Sequence, residues 1–302
     1  MADRVFDSFH TRSMGHPAGT PPWVREIATV GDGPGWFEPN GVVWAVHGDV
    51  STIVGGISAL FELGTHPSAW AGVERHSNFQ GDPWKRMAGT SQWVLVTTFG
   101  SAELSERTAG WVRGLHTKVQ GSDDKGRAYA ASDPKLLRWV FMALADGLLA
   151  SAQAFNRTLV PRFGKRWADT YVHDWRRGAE ALGATDLPSS AAELAEALEA
   201  IRPDLEQVPE YLSEFVLVPP GLNALEERFY AGLSNAAKFL VSPTVASLAR
   251  VPGRSVGGVE RTLRLQQARA QLGLLNAVMG RLSPVEEAAR YRIGLGPRPI
   301  WL

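Results

Sequence analysis

The chain has 302 residues, of which 44% are hydrophobic and 21% charged, a balance that suits one large globular domain or two closely packed ones. Its 31 basic and 31 acidic residues cancel, and no long basic block points to nucleic acid or to an anionic membrane surface. The absence of cysteine excludes disulfides, iron–sulfur clusters, thiolate-ligated haem, cysteine zinc sites and a catalytic thiol.

No segment reads as a secretory signal or a membrane span. The first residues lack an apolar core of the kind that signal peptides carry. The least charged long stretch, Trp139 to Phe155, is shorter than the ~20 apolar residues that a span needs, and Asp146 lies within it. We therefore expect a buried core helix there, no stable membrane insertion and a cytoplasmic location.

Residues 1–45 are rich in Gly and Pro and predict an irregular arm laid over the body, and residues 46–302 predict a single domain. Within that domain, the passage between Ile201 and Leu222 is the place where a boundary would fall. Helical signals dominate after Asp49, and no alternating strand pattern competes with them, so the fold class is predicted as all-α with at least eight helices.

The predicted helix ends rest on capping residues. Asp82-Pro83, Ser101 and Asp133-Pro134 begin helices, Gly100 ends one, and the helix that Ser101 opens runs to about Gly121. Further along, one helix is predicted from Pro161 to Gly183, and capping boxes are predicted at Ser190 with Glu193 and at Ser283 with Glu286.

The histidine of the stretch SERTAGWVRGLHTKVQG, His116, lies at the edge of an apolar side. With Trp111 set at zero on a helical wheel, Leu104 falls near ~20°, Leu115 near ~40° and His116 near ~140°. A histidine there can present a neutral imidazole to a haem iron. The geometry alone equally fits a core histidine that hydrogen-bonds a carbonyl or a carboxylate.

Arg86 and Thr90 stand four residues apart and so share a helix face that Trp93 and Val94 continue. A guanidinium on an apolar face needs an anionic or polar partner, because burying it unpaired is costly. A haem propionate, bound dioxygen or a carboxylate would serve. The plainer interpretation is an Arg paired with an acid and a Thr bonded back to its own helix.

The other candidate groups carry weaker signals. His10 and His16 lie in the arm, His47 in a predicted loop and His76 at a helix end; His66 is expected to cap or pack, and His173 to lie near the surface. The segment GRSVG matches a nucleophile elbow around Ser255, but it lies in a loop between helical runs, so we interpret it as a chance match.

Several segments together resemble one family. They are, in order, HPSAWAGV, DPWKRMAGT, TTFGSAE, VRGLHTKVQG, YAASDPKLLRWV and RRGAEALG, and the resemblance runs from Phe61 to Pro188. The chain resembles the MpaB-type oxygenases, which include the rubber-cleaving latex-clearing proteins.

This resemblance implies a globin-like helical core around a non-covalent haem b, with additional covering helices. It implies that His116 ligates the iron and that Arg86 and Thr90 lie close to the haem and take part in binding and catalysis. The expected function is the oxidation or cleavage of a small hydrophobic, unsaturated, isoprenoid-like substrate with dioxygen. Trp93, Trp139 and Phe141 are candidates for the pocket wall, whereas Tyr129, Asp133 and Trp139 are expected to have structural roles.

One position departs from the family pattern. Where latex-clearing proteins have a Lys that can occupy the distal iron position, this chain has Gly89. Glycine has no side chain to ligate, so a five-coordinate or water-bound iron is expected.

Three alternatives stay open beside the oxygenase. One is a haem protein that binds or senses dioxygen or another small ligand without turnover. Another is a haem-free helical scaffold in which His116 is merely packed. The last is a peroxidase-like activity, for which the sequence offers no distal His/Arg pair.

Overall fold

The computed structural model describes residues 20–251, 258–279 and 282–302. The described residues form fifteen α-helices and one two-stranded hairpin, so the predicted all-α class is confirmed. The globin-like arrangement around a haem stays a prediction. The helices are α1 Pro22–Thr29, α2 Val42–His47, α3 Thr52–Leu63, α4 Pro67–His76, α5 Pro83–Phe99, α6 Ala102–His116, α7 Pro134–Phe155, α8 Leu159–Phe163, α9 Trp167–Glu180, α10 Ala191–Ile201, α11 Glu210–Leu217, α12 Ala224–Ala237, α13 Pro243–Leu248, α14 Gly258–Met279 and α15 Pro284–Arg292.

The five predicted caps all start helices, at Asp82, Ser101, Asp133, Ser190 and Ser283. The Asp133 side chain accepts a hydrogen bond from the backbone N–H of Lys135 at 2.8 Å and so opens α7. The Ser190 hydroxyl accepts from the N–H of Glu193 at 3.2 Å, but the Glu193 carboxylate reaches back to the N–H of Ser189. The return bond of the capping box predicted at Ser190 is therefore made to the N–H of Ser189 and not to that of Ser190 itself.

Three local predictions were wrong. The helix predicted from Pro161 to Gly183 is two helices, α8 and α9, because Gly164 adopts a φ of 77° that an α-helix does not allow. The helix predicted to reach Gly121 ends at His116, and β1 Gln120–Ser122 pairs antiparallel with β2 Ala128–Ala130 beyond it. Residues 20–45 of the predicted irregular arm contain α1 and the start of α2.

The helix α1 is stabilised because one of its faces is apolar and buried. Trp23, Val24 and Ile27 of this helix belong to a large hydrophobic cluster, and α1 packs on α15 near the other end of the chain. That cluster also takes in buried residues of α2, α6, α7 and α9, whereas a second cluster joins α3, α4 and the helices from α11 to α14. In the described part of the chain, no helix is both long and apolar enough to cross a membrane.

The helices α3 and α7 cross closely at two glycines. A Cβ at Gly55 would lie 2.9 Å from the carbonyl oxygen of Gly147, and a Cβ at Gly147 would lie 2.6 Å from that of Gly55. Real Cβ atoms do not approach backbone atoms so closely, so only glycine fits at both positions. This crossing joins the first hydrophobic cluster, through α7, to the second, through α3.

Candidate functional site

The helices α5 and α6 carry the three residues that the sequence singled out. The Asp82 carboxylate accepts a hydrogen bond from the N–H of Lys85 at 3.1 Å and fixes the start of α5. The Ser101 hydroxyl accepts from the N–H of Leu104 at 3.1 Å and starts α6 directly after Gly100. Because the two helices follow each other with so short a connection, they pack together and bring their faces into one region.

Arg86 and Thr90 contact each other on α5 as their spacing predicts. Arg86 Nη1 donates a hydrogen bond to Thr90 Oγ1 at 2.7 Å, and the Thr90 hydroxyl lies 3.4 Å from the Arg86 carbonyl oxygen. Among the residues that the structure describes, no carboxylate forms an ion pair with Arg86. The Thr therefore bonds back to its own helix, but the acid expected in the plainer interpretation is not found in the described residues.

The surroundings of Arg86 are concave. Its surface is exposed, yet burial by the protein around it lowers the pKa of the guanidinium. An exposed surface and a pKa lowered by burial occur together when protein atoms surround a side chain that still borders open space. An arginine keeps its positive charge through such a shift, so a cation without a described acidic partner faces this space.

His116 is the last residue of α6 and is partly buried. Its Nδ1 is buried and has no hydrogen-bond partner in the described part of the chain. Burial first, and the positive charge of Arg86 second, lower the pKa of the imidazole. The side chain is therefore neutral at pH 7, and Arg86 lies near enough to act on it electrostatically. The carbonyl or carboxylate partner of an ordinary core histidine is not present among the described residues.

The apolar side of α6 is not the side that the wheel suggested. Trp111 is 66% exposed and Leu115 is 40% exposed, whereas Leu104, Ser105 and Ala109 are buried. The buried side is centred roughly 100° from Trp111, which takes in His116 rather than leaving it at the edge. The buried side of α6 thus carries Leu104, Ser105 and Ala109, whereas the largest apolar residue of the helix, Trp111, faces outward.

The remaining histidines described by the structure have other partners. His66 caps α4, since its Nδ1 accepts a hydrogen bond from the N–H of Ala69 at 3.3 Å, and its ring lies 5.7 Å from that of Trp139. His173 is exposed, 3.1 Å from Asp174. Both agree with the sequence prediction. His10, His16 and Ser255 lie outside the described residues.

His47 was predicted in a loop, and this was wrong, since it is the buried last residue of α2. Its Nδ1 lies 2.7 Å from Thr98 Oγ1 and its Nε2 lies 3.0 Å from Tyr171 Oη. The Thr98 hydroxyl donates to the Val94 carbonyl at 2.6 Å, so Nδ1 must donate to Thr98 and Nε2 must accept from Tyr171. Burial lowers the pKa of His47 to about 3, which leaves it neutral. The apolar run VVWAVH that precedes Gly48 was the available signal.

The sequence analysis did not predict a pair of carboxyl groups, Glu62 of α3 and Asp146 of α7. Glu62 is buried, and burial together with the nearby Asp146 raises its pKa well above the usual value. Burial likewise raises the pKa of Asp146. Glu62 therefore keeps its proton to a higher pH than an exposed carboxyl does. The position of Asp146 within an apolar stretch was the only signal.

The predicted wall residues divide into two groups. Trp93 is half-buried on the same side of α5 as Arg86, so it borders the open space. Trp139 is fully buried, and Phe141 packs against Trp175 with ring centroids 5.6 Å apart. Tyr129 and Asp133 have the structural roles expected of them, because Tyr129 Oη lies 3.2 Å from His76 Nε2 and Asp133 caps α7.

One family profile matches residues 44–293, which is most of the chain. Its description is ER-bound oxygenase mpaB/B'/Rubber oxygenase, catalytic domain. No curated protein and no solved structure gives a significant match. The profile takes in the whole of α5 and α6, where Arg86, Thr90 and His116 lie. The chain therefore belongs to the family of the mpaB and rubber oxygenase catalytic domains.

Proposed function

We propose that the chain is a haem b-dependent oxygenase that oxidises or cleaves a small hydrophobic, unsaturated, isoprenoid-like substrate with dioxygen. Two observations on the described residues carry this proposal: His116 Nδ1 is buried without a hydrogen-bond partner, and the nearby Arg86 has no acidic partner. Buried polar groups without partners cost free energy, so a bound group that engages both residues accounts for the arrangement. Membership of an oxygenase family favours haem as that group.

The residues present fit a haem in two respects. A neutral imidazole has a lone pair for the iron, and the lowered pKa of His116 keeps it neutral. A guanidinium beside a hydroxyl suits the carboxylate of a propionate, and Arg86 with Thr90 offers that pair. His116 is thus proposed as the iron ligand, and Arg86 and Thr90 as the residues that hold the anionic edge.

Haem, when bound, supplies the activation of dioxygen, a chemistry that no side chain of this protein supplies. The protein provides position and surroundings. Trp93 and Val94 are half-buried on the side of α5 that carries Arg86 and Thr90, so they offer apolar surface next to that pair. Such surface binds an apolar substrate and excludes water from it. The isoprenoid-like character of the substrate and the cytoplasmic location stay predictions.

Oxygen uptake tests this function. The haem-supplied protein is given geraniol or its fully saturated analogue, and oxygen consumption and carbonyl products are measured. We expect uptake and product with the alkene alone. Arg86→Met should lower both, whereas Arg107→Met, which removes a surface partner of Glu26, should not. Dioxygen that binds without product from a range of alkenes would contradict the oxygenase and leave a ligand-binding haem protein.

A further inference from the structure

A bare stretch of backbone lies on the side of α5 that carries Arg86. Gly89 stands about 60° from Arg86 around the helix, and Trp93 falls between them. A Cβ built at Gly89 would meet no atom of the described residues within 4 Å, and the glycine is exposed. The main chain of α5 therefore borders open space next to the Arg86 and Thr90 side chains.

Helix packing does not require this glycine. At Gly55 and Gly147 an added Cβ would strike the backbone of the facing helix, so those glycines permit a close crossing. In the part of the chain that the structure describes, no backbone faces Gly89 in this way. A glycine in a helix interior is also less favourable than an alanine. The missing side chain at Gly89 instead leaves space beside the guanidinium of Arg86 and the ring of Trp93.

The same space borders the concave surroundings of Arg86. Burial lowers the pKa of that guanidinium although its surface is open, so protein atoms surround Arg86 while open space remains beside it. Any side chain at position 89 would project into it, whereas one on the outer side of a helix would project into water. Gly114 on α6 is such an outer position, since its Cβ would also meet nothing and it lies opposite the buried Ser105.

We propose that Gly89 determines the size of the ligand that the site admits. Its bare backbone leaves room for the bulk of a hydrophobic substrate beside Arg86 and Trp93. A larger side chain at this position would occupy that room and exclude long ligands while still admitting short ones. This inference rests on the proposed function, because it concerns the same site.

Ligands of graded length test the inference without turnover. The ferrous haem protein is titrated with methyl isocyanide and with n-butyl isocyanide, and binding is followed in the Soret band. Gly89→Leu should weaken n-butyl isocyanide binding at least about tenfold while methyl isocyanide changes less than about twofold. Gly114→Leu, the matched control, should change neither. Haem content is measured for every variant.

Each outcome decides something. An equal loss for both isocyanides, or an equal effect of Gly114→Leu, would overturn the assignment of Gly89 as a size determinant. If Gly89→Leu does not fold, Gly89→Ala must show a smaller loss confined to n-butyl isocyanide, and unchanged binding there would also overturn it. A wild type that takes up no haem would instead refute the proposed function itself, so the two failures are distinguishable.

Discussion

The buried His47 should make the stability of this protein depend on pH between the neutral and the mildly acidic range. Burial lowers its pKa from the usual 6.5 to about 3, so the folded protein leaves it unprotonated where the unfolded chain binds a proton. Stability therefore falls as the pH drops below 6.5 and continues to fall until about pH 3. The free energy of unfolding falls with falling pH because the folded protein disfavours the protonated, charged form of His47.

The size of this effect follows from the pKa difference. Each pH unit in the window changes the free energy of unfolding by about 1.4 kcal/mol, so lowering the pH from about 7 to about 5 should cost ~2 kcal/mol through His47 alone. His47→Gln removes the titration and keeps an amide that can donate and accept hydrogen bonds. At neutral pH this variant should be less stable than the wild type by ~1–3 kcal/mol, because the hydrogen bonds to Thr98 and Tyr171 are disturbed.

Urea unfolding of both proteins, in the same haem state at both pH values, gives the test. Groups that titrate elsewhere contribute equally and cancel in the difference. The gap between wild type and His47→Gln should narrow by ~2 kcal/mol at the lower pH. A gap that stays constant would show that His47 is not held neutral, and would refute the reasoning from its burial and its two hydrogen bonds.

Three further variants test the packing, the hairpin and the site. Gly55→Ala places a Cβ 2.9 Å from the backbone of α7 and should lower the free energy of unfolding by ~1–3 kcal/mol, whereas Gly56→Ala meets nothing and should be neutral or stabilising in the same urea assay. Burial opposes the ionisation of Asp123, but its hydrogen bonds lower the pKa to about 2, so its contribution is present above pH 3.8 and is lost toward pH 2. Asp123→Ala should therefore cost ~1–3 kcal/mol in urea at neutral pH and clearly less at about pH 2, where the carboxylate is largely protonated. Because the positive charge of Arg86 lowers the pKa of His116, Arg86→Met should raise that pKa in an NMR titration of the haem-free protein. An unchanged pKa would show that Arg86 does not lie close to His116.

Helix starts were predictable because their signals are local. Asp82, Ser101 and Asp133 each accept a hydrogen bond from a backbone N–H within the next three residues, so a short sequence window contains all that is needed. The break at Gly164 was missed because a glycine is compatible with a helix until the backbone there adopts a positive φ. The hairpin was missed because each of its strands has only three residues, too few to show alternation.

The candidate site was predictable in part for the same reason. The i, i+4 spacing of Arg86 and Thr90 is enough to bring them into contact, and the helical wheel gave His116 its correct angle. The wheel did not show which side of α6 faces inward, since Ser105 and Ala109 are buried there while the larger Trp111 is exposed. Such preferences depend on the shape of the neighbouring helix and have no local signal.

The most direct measurement for the central claim is the absorption spectrum of the haem-supplied protein, reduced and then exposed to carbon monoxide. It should be recorded for the wild type, for His116→Ala and for His173→Ala, whose exposed ring lies beside Asp174. We predict a Soret band that shifts with carbon monoxide in the wild type and in His173→Ala, and that is lost or altered in His116→Ala. A wild type without a Soret band, or a band that His116→Ala leaves unchanged, would contradict the account.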